Sequence, residues 1–202
     1  MPAPSVNSAS WYDRNGSDYI NRTQDVELQH LYHRFLAYLP DGGRILDAAC
    51  GSGRDSLAFQ PMGYRVTAMD GSAEMVRHAS DLLGQQALLL RHQEVDFQEA
   101  FDGVWSMASL LHVPQAELPG VLERYRDALV PGGVLFASFK HGDGEEIVGE
   151  RLFAHQHRAS FARLIGSIAE MTLLDTSIDL DTRPGRNDEE WFSAVCRKAS
   201  RN

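Results

Sequence analysis

Apolar and polar residues follow two different rhythms along this chain. Residues 25–39 place apolar side chains at helical spacing, and the Pro- and Gly-containing run at 40–43 ends that pattern. Short apolar runs bounded by Gly, Pro and charged residues predict strands. Strands that alternate with helices are typical of an α/β fold with a parallel sheet. In chain order, the pattern predicts strands at 44–47, 66–69, 87–90, 101–107 and 134–139, with helices at 54–60, 73–83 and 117–129 between them.

The last part of the chain has a different organisation. Residues 141–150 show no clear strand signal, whereas residues 160–171 predict a helix. Two β-patterned runs, 173–181 and 191–196, then flank a turn at 184–187. We therefore predict a Rossmann-like α/β fold: a seven-stranded, mostly parallel sheet with an antiparallel C-terminal hairpin and helices on both faces. Such a hairpin departs from a plain dinucleotide-binding fold.

Residues 44–70 carry the strongest functional signal. An apolar strand runs into a small-residue loop with Gly51 and Gly53, a helix follows, and a second strand ends on Asp70. Glycines allow the backbone to approach a ligand closely. Asp70 follows the loop by about 20 residues, the separation at which a carboxylate meets ribose hydroxyls. The stretch is thus predicted to be a nucleotide-binding βαβ unit.

Two cofactor classes use such a unit, and Asp47 distinguishes them. A dinucleotide site requires G-x-G-x-x-G/A so that the pyrophosphate rests on the helix N-terminus, and here Ser56 takes the third place. A carboxylate beside the loop would repel a pyrophosphate, because like charges repel strongly at short range. It would suit a ligand with positive charge, such as the ammonium and sulfonium of S-adenosylmethionine.

The run Asp47-Ala-Ala-Cys-Gly-Ser-Gly53 resembles the first motif of class I S-adenosylmethionine-dependent methyltransferases, D/E-x-G-x-G-x-G. Ala49 replaces the first glycine of that pattern. The continuation Cys-Gly-Ser-Gly-Arg-Asp-Ser-Leu is similar to small methyltransferases grouped with tellurite-resistance proteins. The late hairpin matches the antiparallel final strand of this class, so the resemblance extends from about residue 10 to the end. It implies S-adenosylmethionine as cofactor and S-adenosylhomocysteine as product.

The resemblance also implies how the motif would hold the cofactor. The glycine loop packs against the methionine part, and Asp70 accepts hydrogen bonds from both ribose hydroxyls. Arg54 has three open interpretations: a partner of the cofactor carboxylate, a solvated helix residue, or a partner of the N-terminal segment. The cofactor-binding residues predicted around this motif are Tyr19, Thr23, Asp47, Ala49, Gly51, Gly53, Arg54, Asp70, Gly71 and Met75.

Turns after the third and fourth strands supply further candidates, because ligands of open α/β sheets bind at the carboxyl ends of strands. Gln93 and Glu94 are candidates for contacting the adenine amine, although a plain polar loop explains them equally well. Ser109 and Leu110 border the cofactor in this fold. His112 has an ordinary pKa of about 6.5, which suits a general base. A structural role, as a cap of the following helix, is the alternative.

Aromatic and basic residues outside the motif outline a substrate site. Residues 1–24 are predicted to form a lid over a methyltransferase domain at 25–202, and Tyr12 offers a flat apolar face to a substrate. Lys140 and Arg151 follow the fifth strand, so they are expected to shape the substrate mouth together with His112.

Composition limits the partners of the chain. With 202 residues and a formal net charge of -9, it is expected to be one soluble domain that does not bind a nucleic-acid backbone. No apolar run approaches the ~18 residues of a membrane span, and no signal-peptide pattern is present. Two cysteines fit a reducing cytoplasm. His155 and His157 lack a third ligand at fitting spacing, so no metal is predicted. A monomer or a homodimer is expected.

The leading hypothesis is methyl transfer to a nitrogen, oxygen, sulfur or chalcogen atom of a small molecule, because 202 residues leave little chain for a docking domain. A heteroaromatic secondary metabolite, favoured by the aromatic N-terminal segment, and a tellurium or selenium species are two versions of it. An NAD-dependent oxidoreductase and a non-catalytic domain that binds S-adenosylmethionine are the rivals.

Overall fold

The computed structural model describes residues 8–183, 185–186 and 188–201. The first seven residues of the predicted lid, and Pro184 and Asn187 of the predicted turn, lie outside the described residues. The helices are α1 (Ser8–Thr23), α2 (Gln29–Leu36), α3 (Arg54–Phe59), α4 (Ala73–Leu83), α5 (Leu118–Ala128) and α6 (Arg158–Gly166). The strands are β1 (Arg44–Ala48), β2 (Arg65–Asp70), β3 (Leu88–Leu89), β4 (Phe101–Ser106), β5 (Leu129–Lys140), β6 (Glu145–Val148), β7 (Arg151–Ala154), β8 (Met171–Leu180) and β9 (Glu190–Lys198).

Seven strands form one sheet in the order β3-β2-β1-β4-β5-β9-β8. The first five are parallel, and β9 inserts antiparallel between β5 and β8. The inner strands are apolar on both faces, which is what a parallel sheet covered on both sides requires. The predicted fold class is therefore confirmed. The strand order changes direction between β1 and β4, so the carboxyl ends of these strands open onto a crevice.

Helices cover the two faces of the sheet through separate clusters. On one face, α2 contributes Phe35 and α3 contributes Phe59 to a cluster around Trp105, whose ring stacks on Phe136 with 4.1 Å between centroids. On the other face, α5 and α6 pack on the sheet. A β-carbon at Gly103 would lie 2.5 Å from the Phe35 ring, so only glycine lets α2 approach the sheet this closely.

Several boundaries differ from the sequence predictions. The stretch at 134–139 belongs to a longer strand, β5, in which the Pro-Gly-Gly run is included. Residues 141–150, predicted to lack strand structure, contain β6, which pairs with β7 in a separate two-stranded hairpin. Every β6 residue is exposed, so the alternation that identifies a half-buried strand is missing. The predicted helix at 160–171 is shorter and earlier, and Met171 already begins β8.

Candidate active site

Asp70 and the glycine loop form a cradle at the carboxyl ends of β1 and β2. The amide of Gly51 donates to Asp70 Oδ2 at 2.9 Å, and the amide of Ser72 donates to Asp70 Oδ1 at 2.8 Å. A carboxylate has about four acceptor sites, so Asp70 holds the loop and keeps capacity for further donors. Burial raises the pKa of Asp70 to about 6 despite these two amide hydrogen bonds.

The loop itself has a backbone that suits small residues. Gly51 adopts φ 55°, and a β-carbon there would meet nothing within 4 Å, so this side of the loop faces open space. Gly53 adopts φ 91° just before α3, where a β-carbon would lie 3.2 Å from Ala79. Ala49, at the place of a motif glycine, also has a positive φ of 66°. The loop therefore retains the left-handed conformation that glycine favours even where it carries alanine.

Asp47 lies at the end of β1, almost completely buried, and accepts a hydrogen bond from Ser56 Oγ at 2.6 Å. Burial, and secondarily the charge of Asp55, raise the pKa of Asp47 to about 8. At neutral pH this carboxyl group consequently holds a proton most of the time. Asp47 is expected from the sequence to repel a pyrophosphate, and only its ionised carboxylate can do so. A cation placed nearby would favour this ionised form.

Arg54 connects the cradle to α1. Its guanidinium donates to the carbonyl of Thr23 at 2.8 Å and to Asp55 Oδ1 at 2.6 Å. Asp55 is buried and also accepts from Tyr32 Oη at 2.7 Å and from Trp105 Nε1 at 2.8 Å. Of the three interpretations of Arg54, these contacts fit the partner of the N-terminal segment. No local pattern singles out Asp55 as the centre of this network, because its donors come from three separate elements.

Helix α1 lies across the cradle on top of α4. Asp13 Oδ1 accepts hydrogen bonds from Ser72 Oγ at 2.6 Å and from the amide of Glu74 at 3.4 Å. Gly16 is buried, and a β-carbon at this position would lie 3.0 Å from Glu74 Cγ and 3.4 Å from Met75 Cε. Met75, predicted to contact cofactor, is itself buried beneath α1. The helix thus covers the carboxyl end of β2 through close packing and a carboxylate at the α4 N-terminus.

A cavity of about 820 Å³ opens between α1, the sheet and the late hairpin. Apolar side chains such as Met107, Leu111 and Trp191 form part of its wall. The predicted site residues that line it are Tyr12, Tyr19, Thr23, Arg54, His112, Lys140 and Arg151. The structure therefore brings residues from both ends of the chain to one space beside the cradle.

Residues 45–133 match the family model described as "Methyltransferase domain". This segment of the chain is therefore similar to a methyltransferase domain. The ubiquinone biosynthesis O-methyltransferase of Xanthomonas axonopodis pv. citri is 32% identical over 136 residues, which cover 63% of this chain and 55% of that protein. The chain thus spans about half the length of the curated relatives it matches. The tellurite-type subgroup stays a prediction.

Solved structures with the same fold extend the similarity beyond the matched segment. A Burkholderia thailandensis 1,6-didemethyltoxoflavin-N1-methyltransferase, solved with 1,6-didemethyltoxoflavin and S-adenosylhomocysteine, superposes with a TM-score of 0.77 at 23% identity, over 96% of this chain and 86% of that one. The [4+2]-cyclase SpnF superposes with a TM-score of 0.73 at 15% identity, over 98% and 97%. Proteins with different reactions therefore share this architecture, so the reaction has to be inferred from the site.

His112 has a defined protonation pattern. Its Nδ1 donates to the carbonyl of Leu152 at 2.6 Å, since a carbonyl only accepts, and its Nε2 accepts from Tyr12 Oη at 2.8 Å. Burial lowers the pKa of His112 to about 4, well below the ordinary value assumed from the sequence. The side chain reaches α1 and β7 and does not cap the following helix. His112 is consequently a neutral, weakly basic group that faces the lid.

The late hairpin closes the other side of the cavity. Lys140 Nζ lies 3.1 Å from Glu189 Oε2, above the edge of the cavity. Arg183 pairs with Asp181, and the Trp191 indole donates to the same carboxylate at 3.1 Å. The acids of the hairpin are not among the site residues predicted from the sequence, although the polar residues that follow β8 were a usable signal for a loop at the site.

Other predicted cofactor residues have partners away from the cavity. Gln93 donates to Glu117 at 2.8 Å, and Glu94 accepts from the amide of Arg91, both on the exposed surface. Ser109 Oγ donates to the carbonyl of Ala48 at 3.2 Å, and so ties the end of β4 to the end of β1. Leu110 is fully buried in the core, while Gly71 lies against Ala9 of α1 and Arg91. The roles assigned to these residues stay predictions.

The histidines considered for a metal form separate pairs. His157 Nε2 lies 2.9 Å from Asp143 and its Nδ1 caps the start of α6, whereas His155 lies 3.3 Å from Glu146. Within residues 8–183, 185–186 and 188–201, no group of three or more His, Cys, Asp or Glu side chains is placed to hold a metal ion. Across the same ranges, no helix combines the length and the apolar character needed to cross a bilayer.

Proposed function

We propose that the protein transfers a methyl group from S-adenosylmethionine to a small-molecule acceptor bound in the cavity. The observation that carries the proposal is that Arg54 joins the glycine loop to the cavity. Arg54 follows the glycine loop directly, lines the cavity and binds the carbonyl of Thr23 at the end of α1. A donor held by the loop and an acceptor held in the cavity would therefore be neighbours.

The residues of the cradle fit the adenosyl and methionine parts of this cofactor. The open space at Gly51 leaves room for a ligand against the backbone, and Asp70 keeps acceptor capacity for ribose hydroxyls. When bound, S-adenosylmethionine supplies a methyl group already activated on a sulfonium. The protein then mainly has to orient two reactants, and correct orientation is worth about 7–11 kcal/mol of barrier.

The lid and the cavity are suited to a compact acceptor. Tyr12 and Tyr19 of α1 pack edge to face with 5.0 Å between ring centroids and cover the space from above, which excludes water from the reacting groups. His112 Nε2 is available to an acceptor once Tyr12 releases it. Because His112 is a weak base, acceptors that already present a lone pair suit this site better than acceptors that must first lose a proton.

The proposal is tested by calorimetric titration of the protein with S-adenosylhomocysteine and with NAD. We expect S-adenosylhomocysteine to bind and NAD to show no binding. Asp70→Asn should weaken S-adenosylhomocysteine binding about ten- to hundred-fold, since hydrogen bonds to a charged group contribute about 1.5–3 kcal/mol. Asp102→Asn is the matched control. Asp102 also accepts a hydrogen bond from a backbone amide, that of Arg44 at 2.7 Å, but it lies at the amino end of β4, away from the carboxyl ends of the strands.

Radiolabelled S-adenosylmethionine and a panel of small phenols, thiols and nitrogen heterocycles then test turnover. Transfer of label that disappears in Asp70→Asn and persists in Asp102→Asn is the expected result. Binding of NAD in preference to S-adenosylhomocysteine, or equal affinity of both aspartate variants for S-adenosylhomocysteine, contradicts the proposal.

A further inference from the structure

Arg151 has an unusual environment at the start of β7. Its guanidinium carbon lies 4.0 Å from the centroid of the Trp11 ring and 5.0 Å from that of Phe153, so two aromatic faces hold the group. Its Nε atom is sealed from solvent and has no hydrogen-bond acceptor among the described residues. Arg151 also lines the cavity. A ligand in the cavity would meet the terminal guanidinium nitrogens of Arg151, since Nε itself is closed off by protein atoms.

The other basic side chains of the cavity are either paired or solvated. Arg54 pairs with Asp55, Lys140 with Glu189, Arg183 with Asp181, and Arg186 with Glu189, all by N···O contacts within 4.0 Å. Arg22, the remaining one, is exposed. Within the described residues, Arg151 is therefore the half-buried cavity cation that lacks a carboxylate partner.

Charge in the cavity differs from charge on the chain as a whole. Six Arg or Lys side chains and five Asp or Glu side chains line the cavity, whereas the chain has a formal net charge of -9. Four of the basic groups are held by protein carboxylates, which leaves the charge of Arg151 for a ligand. One clamped guanidinium matches a singly charged carboxylate, because its planar fork can donate two parallel hydrogen bonds.

We propose that Arg151 is a specificity-determining residue that binds a carboxylate on the acceptor molecule, and so selects anionic acceptors over neutral ones. This inference rests on the proposed function in that it assumes the cavity to be the acceptor site. The aromatic faces of Trp11 and Phe153 fix the plane of the guanidinium before the ligand arrives. Phe153, which also lines the cavity, offers apolar contact to the body of the ligand, which suits an aromatic or unsaturated carboxylate.

The test uses matched pairs of carboxylates and their neutral amides: benzoate and benzamide, 4-hydroxybenzoate and 4-hydroxybenzamide, indole-3-carboxylate and indole-3-carboxamide. Each is titrated into the full chain by NMR, with and without saturating S-adenosylhomocysteine, while the Nε–H resonance of Arg151 is followed. We expect carboxylates to bind at least about ten-fold more tightly than their amides and to shift this resonance.

Three variants separate charge from packing. Arg151→Met keeps an apolar side chain of similar length and should abolish the preference for carboxylate, and Arg151→Lys should retain part of it. Arg186→Met removes a cavity cation that is already paired and should leave the preference unchanged. Equal affinity of carboxylates and amides for the wild type, an Arg151 Nε–H resonance that no carboxylate shifts, or an undiminished preference in Arg151→Met overturns the proposal.

The two proposals fail in different ways. If S-adenosylhomocysteine binds but no carboxylate preference exists, the assignment of Arg151 is wrong and the proposed methyl transfer stands. If the carboxylate preference exists but S-adenosylhomocysteine does not bind, the anion site is real and the proposed methyl transfer is wrong.

Discussion

We predict that Asp47 links cofactor binding to the release of a proton. Its pKa of about 8 means that the buried carboxyl group is largely protonated at pH 7. A sulfonium or ammonium held nearby would favour the charged form and lower this pKa. We therefore predict that binding of S-adenosylmethionine at pH 7 releases up to about one proton, and that affinity rises as the pH increases towards 8.

Calorimetry in phosphate and in Tris buffer measures the released proton, because the two buffers differ in ionisation enthalpy. In Asp47→Asn the release should disappear, and affinity should no longer rise with pH. Identical binding enthalpies in both buffers for the wild type would show that Asp47 does not change its protonation on binding.

His112 should make the folded state sensitive to acid. Its pKa is about 4 in the folded protein, against about 6.5 when unfolded, so between these values the unfolded chain binds more protons. The stabilisation it provides is therefore fully present above about pH 6.5 and is lost as the pH falls towards 4. Urea unfolding between pH 4.5 and 7 should show a shallower pH dependence in His112→Gln than in the wild type.

His92 provides a matched control for this prediction. Burial lowers its pKa to about 4 as well, but its ring contacts Tyr125 of α5, and neither residue lines the cavity. His92→Gln should flatten the pH dependence of stability in the same way and leave methyl transfer unchanged. His112→Gln should alter both, because it also removes the acceptor of the Tyr12 hydroxyl. An unaltered rate of methyl transfer in His112→Gln would show that His112 has a structural role only.

Helix α1 depends on a glycine for its docking. A β-carbon at Gly16 would lie 3.0 Å from Glu74 Cγ and 3.4 Å from Met75 Cε of α4, so both side chains would have to shift to admit a larger residue. We predict that Gly16→Leu displaces α1 and weakens S-adenosylhomocysteine binding at least about ten-fold, because Tyr19 and Thr23 move with the helix. The remainder of the fold should be retained, since the sheet and its two core clusters do not include α1.

Gly120→Leu is the control, because Gly120 also lies inside a helix, α5, where a β-carbon meets nothing within 4 Å. This substitution should leave binding unchanged and raise helix stability by about 1 kcal/mol. Hydrogen exchange of α1 amides checks the displacement directly. Slow exchange of α1 and full affinity in Gly16→Leu would show that the helix tolerates the larger side chain.

At the level of whole elements, the sequence was most informative where local chemistry determines the ends. Residues 73–83 were predicted with the bounds of α4, since Ser72 caps its start by accepting from the amide of Met75 and Gly84 ends it with φ 62°. The fully exposed β6 offers no such signal. Contacts such as Tyr12–His112, 100 positions apart, depend on how α1 docks, so no local pattern reveals them.

Across the whole molecule, the segment that matches the family model and most residues that line the cavity belong to different parts of the chain. The matched segment, 45–133, holds the cradle with Gly51 and Asp70. Most residues that line the cavity lie outside this segment. They include residues of α1 before it, and Lys140, Arg151 and residues of the late hairpin after it. This division explains why the cofactor is easier to infer from the sequence than the acceptor.

Because cradle, lid and hairpin meet at one site, a ligand bound there should stabilise the whole fold. A ligand at 100 times its Kd adds about 2.7 kcal/mol to the free energy of unfolding, and each kcal/mol raises Tm by about 2–4 °C in a protein of this size. We therefore predict that S-adenosylhomocysteine raises Tm by about 5–10 °C in a single transition. NAD at equal concentration should produce no shift, and Asp70→Asn should lose most of the shift while Asp102→Asn keeps it. Scanning calorimetry could instead show two separate transitions, only one of which the ligand moves. The cradle would then unfold independently of the hairpin, and binding of the donor would have no physical link to the cavity that is proposed to hold the acceptor.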